Sequence, residues 1–274
     1  MAKYRILTVI IISLMGLSLI TGCNPKPEST ETSVTTTTLT QTPTPTKEAA
    51  WYQGVVDGLK ALDYGEFPEH LRKDNGSKNG TEFNINEYFK VLTGLSMEEG
   101  YMLDWVYDYN GSGGQPIIYV RAESQKPYAN YEEYAMDEQG GAFEEKIKIN
   151  GTEEGFFEYV VLQVIGGQFY LFWHANYNDW KIVCDPAEIE AIIKERASPD
   201  FGRAAEPDFA EKAKKLDCKP VIEFKDDTAT VSVLVFTKWG GFKRLTYTIK
   251  REYPHTIIDI QTKTLVEYNC GVMF

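Results

Sequence analysis

The chain contains little histidine and little cysteine, and this scarcity limits its chemistry. Only three histidines occur among 274 residues, His70, His174 and His255, and none lies within metal-ligand spacing of another. The four cysteines form no C-x-x-C pair and no zinc-finger spacing. The sequence therefore predicts no metal site, and it offers no motif for a cofactor.

Motifs for nucleophilic catalysis and for nucleotide binding are also missing. The sequence has no G-x-S-x-G, S-x-x-K or H-E-x-x-H motif, no Walker loop and no dinucleotide fingerprint. The glycine-rich stretch Gly111-Ser112-Gly113-Gly114 lies in a predicted hairpin turn rather than before a helix. No enzyme class is indicated by a motif.

Positive charge is scarce as well. Lysine and arginine total 28 against 40 aspartates and glutamates, which gives a formal net charge of −12. Affinity for nucleic acid depends on Lys and Arg that neutralise phosphates, so a nucleic-acid partner is not expected. Solubility explains the acidity most simply, and binding of cations or of basic partners is the alternative.

The strongest signal in the sequence lies at its beginning. Lys3 and Arg5 precede an apolar run from Ile6 to Ile20, and small residues follow up to Cys23. A charged start, an apolar middle and small residues at a cleavage point are typical of a secretory signal peptide, predicted here for residues 1–22. The apolar run is shorter than the ~20 residues that a membrane-spanning helix needs.

The end of this segment, Ile20-Thr21-Gly22-Cys23, resembles the lipobox of bacterial lipoproteins. The resemblance covers only this segment. It implies cleavage before Cys23 and a diacylglycerol on the Cys23 thiol, and hence an extracytoplasmic protein held to a membrane by lipid. Acyl chains contribute roughly 0.8 kcal/mol per buried CH₂, so two of them attach a protein stably.

Residues 23–50 are predicted to be a spacer without a fold. They contain Pro25, Pro27, Pro43 and Pro45 and a run of threonines at 35–38. Such a segment buries too little apolar surface to offset its ordering entropy, and its prolines favour an extended chain. A bare spacer is the preferred interpretation, and glycosylation of the threonines is the alternative.

Residues 51–274 contain no linker-like stretch, so they are predicted to form one globular domain, with two subregions (51–150 and 151–274) as a further option. The fold class is α+β, an antiparallel sheet packed with a few short helices. After Cys218 the sequence alternates between apolar and polar residues in successive strands, which predicts a C-terminal meander with one buried and one wetter face. A helix capped by Asp185, with Pro186 at its first position, is expected before it.

Hairpin signals occupy the centre of the chain. Tyr101–Tyr109 and Pro116–Val120 are predicted strands joined by a turn that begins at Asn110. Phe156–Ile165 and Gln168–His174 are apolar and aromatic and are joined by two glycines, which predicts a further central hairpin.

Candidate site residues are few. His174 ends an aromatic stretch close to Asp179, and a histidine beside an aspartate can act as a general base, although a histidine packed against a backbone carbonyl is the simpler interpretation. Asp104, Asp108 and Asn110 offer oxygen atoms to calcium but do not have EF-hand spacing.

The three cysteines after Cys23 allow one disulfide. Cys184–Cys218 is the first pairing expected, because it would close the predicted helical insertion. Closing a loop of about 35 residues stabilises a fold by roughly 3–4 kcal/mol in the chain-entropy description. Three buried free thiols are the alternative.

Two functional hypotheses follow. The first is a lipid-anchored envelope domain that binds an unknown ligand or protein and catalyses nothing. The alternative is an envelope hydrolase acting on glycan or peptide through His174, Asp179 or a pair of carboxylates. A cleft lined by aromatic and polar groups would favour the first hypothesis, and a shifted carboxylate or histidine pKa inside a pocket would favour the second.

Overall fold

The computed structural model describes residues 49–137, 142–173, 179–199 and 202–271. These residues belong to one compact unit, Thr46–Phe274. Within these ranges, no helix is both long enough and apolar enough to cross a membrane.

Five α-helices and ten strands are formed by the described residues. The helices are α1 (Ala49–Lys60), α2 (Tyr131–Met136), α3 (Glu153–Ile165), α4 (Pro186–Ala197) and α5 (Phe209–Ala213). The strands are β1 (Leu95–Met97), β2 (Tyr101–Tyr109), β3 (Gly113–Ala122), β4 (Ile147–Ile149), β5 (Phe172–Trp173), β6 (Lys181–Val183), β7 (Val221–Lys225), β8 (Thr228–Thr237), β9 (Gly241–Lys250) and β10 (Ile257–Val266). Three short 3₁₀ helices lie at Glu69–Leu71, Ile85–Lys90 and Phe143–Lys146.

All strand pairs in these sheets are antiparallel. The largest sheet has the order β10-β9-β8-β6, and β7 pairs with the first half of β8 beside β6. The hairpin β2–β3 is extended by β5, and β1 pairs with β4. The α+β class is therefore confirmed, with a C-terminal meander and a central hairpin.

The predicted strand Phe156–Ile165 is wrong, because this segment lies in helix α3. Thr152 caps the helix by accepting a hydrogen bond from the Gly155 amide, and two glutamates occupy the first turn. The helix is buried on nearly every side, so apolar residues occur all around it and its sequence shows no clear helical period. Of the predicted partner strand Gln168–His174, the structure describes residues 168–173, and in these only β5 is formed, which pairs with β3.

Helix α3 packs closely against the chain before β1. A side chain at Gly94 would place its Cβ 2.7 Å from the Gly155 Cα, so only glycine fits there. The Gly94 amide donates to the buried carboxylate of Glu158 at 2.6 Å. The first turn of α3 is thereby held against the β1–β4 ribbon.

The face of the meander that was predicted to be more exposed to solvent is exposed over only part of its area. Alternate residues of β8 from Ala229 to Val235 face the larger core, which contains α1, α3 and the hairpin. On the opposite face Leu234 and Phe236 are buried in a second core with α4 and α5, where Phe209 stacks on Phe242. Asp185 caps α4 as expected, accepting from the Ala187 amide. The sheet is thus covered on both faces at one end only.

Candidate functional site

A pocket of about 400 Å³ opens beside the central hairpin. It lies between the loop before β1, strand β2, the end of β3 and the loop before α2, and it is called the hairpin pocket here. Its polar lining residues are Lys78, Asn79, Glu82, Asn84, Asn86, Asp104, Arg121, Lys126 and Tyr128.

The wall formed by residues 78–82 is shaped around one buried carboxylate. Glu82, whose side chain is 3% exposed, accepts from the backbone amides of Asn79 and Gly80 and lies 2.6 Å from His70 Nε2. Burial alone would raise the pKa of Glu82, but these hydrogen bonds outweigh it and the pKa is lowered. The loop is therefore held by an ionised glutamate inside it.

Asn86 attaches the next part of the wall to the hairpin. Its side-chain amide donates to the Leu103 carbonyl at 2.9 Å and accepts from the Leu103 amide at 3.1 Å. These two bonds imitate the pairing of a neighbouring strand. Asn84 caps the 3₁₀ helix that follows it by accepting a hydrogen bond from the Asn86 amide.

The floor of the pocket carries a triad of charges: Lys78, Asp104 and Arg121. Lys78 Nζ lies 2.5 Å from Asp104 Oδ1, and Arg121 Nε lies 2.7 Å from Asp104 Oδ2. The three side chains are only 12–13% exposed. Burial would raise the pKa of Asp104, but the two cations hold this pKa below its ordinary value.

The hairpin register brings this triad together. Asp104 pairs with Tyr119 and Met102 pairs with Arg121, so Asp104 and Arg121 are diagonal neighbours on one face of the hairpin. Lys78 reaches the same carboxylate from the loop, and its ammonium lies 5.0 Å from the centre of the Trp105 ring. Trp105 is itself fixed through a hydrogen bond from Nε1 to the Phe83 carbonyl at 2.9 Å.

The opposite wall is held by Arg121 and Tyr119. Arg121 Nη1 donates to the carbonyls of Ala122 and Gln125, at 3.2 and 2.9 Å, and so shapes the turn after β3. The Tyr128 amide donates to the Tyr119 hydroxyl, and the two rings lie 5.0 Å apart. Tyr128 is the aromatic ring on this side of the pocket.

The lining of this pocket is rich in charged and amide side chains. It contains no serine, threonine, cysteine or histidine. Asp104 is a poor proton acceptor because two cations stabilise its charge. Three cations and two carboxylates line the pocket, so its charge is opposite in sign to that of the whole chain.

The predicted catalytic pair has no observable geometry. His174 lies outside the described residues. Asp179 is described, and its carboxylate accepts from the Thr237 hydroxyl at 2.7 Å and from the Lys238 amide at 3.4 Å. These bonds anchor Asp179 to the turn between β8 and β9, which is a structural role.

The three later cysteines, Cys184, Cys218 and Cys270, are free and buried in the structure. Burial raises the pKa of the Cys184 thiol and also that of the Cys218 thiol, so neither thiol is activated as a nucleophile. The Cys184–Cys218 bridge stays a prediction. Asp104, the first of the calcium candidates, already forms ion pairs with Lys78 and Arg121. No metal-binding cluster occurs in the part of the chain that is described.

A second pocket, of about 670 Å³, lies where β10 begins, and it is called the glutamate pocket here. It is lined by Glu98, Ala142, Glu144, Glu145, Lys146, Tyr253, Pro254, His255, Thr256 and Ile257. Hydrogen bonds from Tyr253 and from Lys146, the latter at 2.9 Å, lower the pKa of Glu98. Burial raises the pKa of Glu144 and lowers the pKa of His255.

The aromatic residues of the hairpin and of the segments around α2 and after α3 are divided between the core and the surface. Trp105, Tyr107, Tyr119 and Phe169 are almost fully buried. Tyr128 and Tyr131 keep part of their rings accessible, and Tyr128 lines the hairpin pocket.

Comparisons with protein-family models, with curated proteins and with solved structures find no match to this chain.

Proposed function

We propose that the chain is a lipid-anchored, extracytoplasmic domain that binds a small molecule carrying a carboxylate in the hairpin pocket and catalyses nothing. Support for the anchor comes from the sequence: the signal-like segment, the Ile20–Cys23 motif and the proline-rich and threonine-rich spacer. Support for binding comes from the pocket.

The observation that carries the binding proposal is the triad of Lys78, Asp104 and Arg121. The Lys78 ammonium has three N–H donors, and Asp104 accepts one of them on the floor of the pocket. Lys126 adds an exposed cation at the rim. A ligand carboxylate would meet free donors and an excess of positive charge there, at a site with low water exposure.

The ligand class can be tested with two matched pairs, glucuronate against glucose and glutamate against glutamine. We expect an acid to raise the thermal unfolding midpoint and its neutral partner to have no effect. Binding at a hundredfold excess over Kd stabilises the fold by about 2.7 kcal/mol. Lys126→Met should weaken this shift, whereas Lys219→Met, an equal charge change at an exposed residue outside the pocket, should leave it unchanged. Shifts that are equal within each pair, or equal losses in the two variants, would contradict the proposal.

The anchor is tested separately by growing producing cells with labelled palmitate. The intact chain should carry the label and sediment with membranes, and Cys23→Ala should abolish both. Lys26→Ala, which leaves the Ile20–Cys23 motif intact, should keep the label. Recovery of the unlabelled chain from cytosol would end the anchor proposal and leave the binding proposal standing.

One observation favours the alternative of an envelope hydrolase. In the glutamate pocket the pKa of Glu144 is raised and that of Glu98 is lowered, and such opposite shifts suit a general acid and its carboxylate partner. A panel of nitrophenyl glycosides and fluorogenic peptides tests this. Glu144→Gln should abolish any turnover, whereas Glu145→Gln, at the exposed neighbour, should not. Equal rates in the two variants would exclude a catalytic Glu144.

A further inference from the structure

Strand β10 is an exposed edge of the large sheet. Within the described ranges it pairs only with β9, so the backbone groups on its outer side have no strand partner. Every residue from 258 to 264 is exposed, and Ile258 and Ile260 keep 52% and 50% of their accessible surface. A ten-residue edge of this kind, about 34 Å long, is a template for pairing with another strand.

The register of β10 places the positive charge of Lys263 next to another positive charge. Lys263 lies opposite Arg244 of β9, so a cation faces a cation across the strands. Among the described residues Lys263 has no ion-pair partner. Asp259 lies four residues earlier on the same face of the strand, and its carboxylate accepts only from the Gln261 side chain, at 2.9 Å. A carboxylate on the outer side of Lys263 would relieve the repulsion.

The order of side chains along β10 supplies that carboxylate from a second copy of the same strand. Asp259 and Lys263 are placed symmetrically about Gln261. We propose that two copies of this chain pair antiparallel through β10, with Gln261 on the two-fold axis. Asp259 of each copy then lies opposite Lys263 of the other, and both pairs form at once, as a two-fold interface requires.

This register is specific. Shifting the pairing by one step of same-face residues places Asp259 opposite Gln261 or opposite Leu265, and both charge pairs are lost. In the proposed register Ile260 lies opposite Thr262 of the other copy, which joins half-exposed apolar surface to a β-branched side chain. The large sheet would continue from one copy into the next.

The opposing interpretation is that Lys263 protects the edge from pairing. Exposed edges commonly carry a lysine and bulges for this purpose, and register shifts flank this segment between Ile257 and Asp259 and between Thr264 and Val266. The two interpretations predict opposite effects of removing the charge. A protective lysine would, when replaced by threonine, increase association, whereas the proposed pairing would be weakened.

Cysteine cross-linking of the full chain in detergent tests the register. Gln261→Cys should give a disulfide-linked dimer under mild oxidation, because residues 261 face each other across the axis. Thr264→Cys is the control, since its two copies would lie roughly 20 Å apart in this register. Equal cross-linking at the two positions, or none at 261, overturns the proposal.

Charge exchange in the Gln261→Cys background tests the partner. Asp259→Lys alone, Lys263→Asp alone and Lys263→Thr should each reduce the cross-linked fraction at least threefold. The double variant Asp259→Lys with Lys263→Asp should restore it, because both pairs reform with exchanged signs. Failure of the double variant to restore cross-linking, or increased cross-linking with Lys263→Thr, overturns pairing between two copies of β10.

Discussion

Helix α3 and strand β10 lie at opposite extremes of burial. The helix is buried on nearly all of its sides, between the large sheet, α1 and the β1–β4 ribbon. The strand is exposed on both faces over residues 258–264. Neither element shows the half-buried pattern on which amphipathic periodicity depends.

The difference teaches what hydrophobic patterning can and cannot report. In α3 the apolar residues surround the helix, so the sequence shows that the segment is buried but not whether it is helix or strand. In β10 apolar and polar residues alternate, so the sequence shows two faces but not whether another element covers Ile258 and Ile260. Burial is decided by what packs against an element, and this information lies elsewhere in the chain.

The largest expected loss of stability follows from a substitution in helix α3, at the centre of the larger core. Phe156 is fully buried, with ring contacts to Phe224 at 5.5 Å and to His255 at 5.9 Å. Phe156→Ala should lower the free energy of unfolding by about 3–5 kcal/mol, because it removes a ring and leaves a cavity. Urea unfolding measures this loss. A loss under 1 kcal/mol would mean that α3 is not the centre of the core.

A second test adds atoms to the same contact instead of removing them. Gly94→Ala would force a Cβ to within 2.7 Å of the Gly155 Cα, and we expect a loss of about 1–3 kcal/mol from overpacking. Gly54→Ala is the matched control. It lies exposed in α1 with nothing within 4 Å of the added Cβ, and it should stabilise by about 0.5–1 kcal/mol. Equal effects at the two glycines would show that the close approach is absent in solution.

Local signals predicted the parts of the fold that depend on neighbouring residues. Asp185 and Pro186 place the start of α4, and the run from Asn110 to Gly114 places the turn between β2 and β3. The Thr152 cap and the two acidic residues after it also marked the start of α3, but the apolar run that follows concealed this signal. Leu234 and Phe236 are covered by α5, and no local pattern shows on which face of the sheet this helix packs.

The hairpin pocket could not be predicted in the same way. Lys78 and Arg121 lie 26 and 17 residues from Asp104 along the chain. Only the hairpin register and the fold of the loop around Glu82 bring them to one carboxylate. The sequence did mark Asp104, but as a calcium candidate, because charges that are distant in sequence cannot be paired without the register.

His255 lies between helix α3 and strand β10, and its protonation offers a test with a smaller, pH-dependent effect on stability. Its ring lies against Phe156 of α3, and it precedes β10 by two residues. Burial lowers its pKa, so the unfolded chain binds the proton more tightly than the folded chain. The contribution to stability is therefore present above the ordinary histidine pKa and is lost as pH falls through the lowered value.

We expect the free energy of unfolding to decrease on acidification below about pH 6.5, by about 1.4 kcal/mol for each unit by which the pKa is lowered. In His255→Gln this part of the slope should disappear, while the rest of the pH profile is kept. Urea unfolding at several pH values measures both. An unchanged slope in the variant would mean that His255 is not buried in solution.

The smallest effect is expected at the edge. Ile260 keeps half of its surface exposed, so Ile260→Thr removes little buried apolar area and leaves a β-branched residue in the strand. Its free energy of unfolding should lie within about 0.5 kcal/mol of the unchanged chain when measured in dilute solution. Val233→Thr is the matched change at a fully buried position of β8, where an added hydroxyl without a partner costs about 1–3 kcal/mol. If Ile260→Thr were as costly as Val233→Thr, another part of the protein would have to cover the β10 edge, and pairing between two copies through that edge would be blocked.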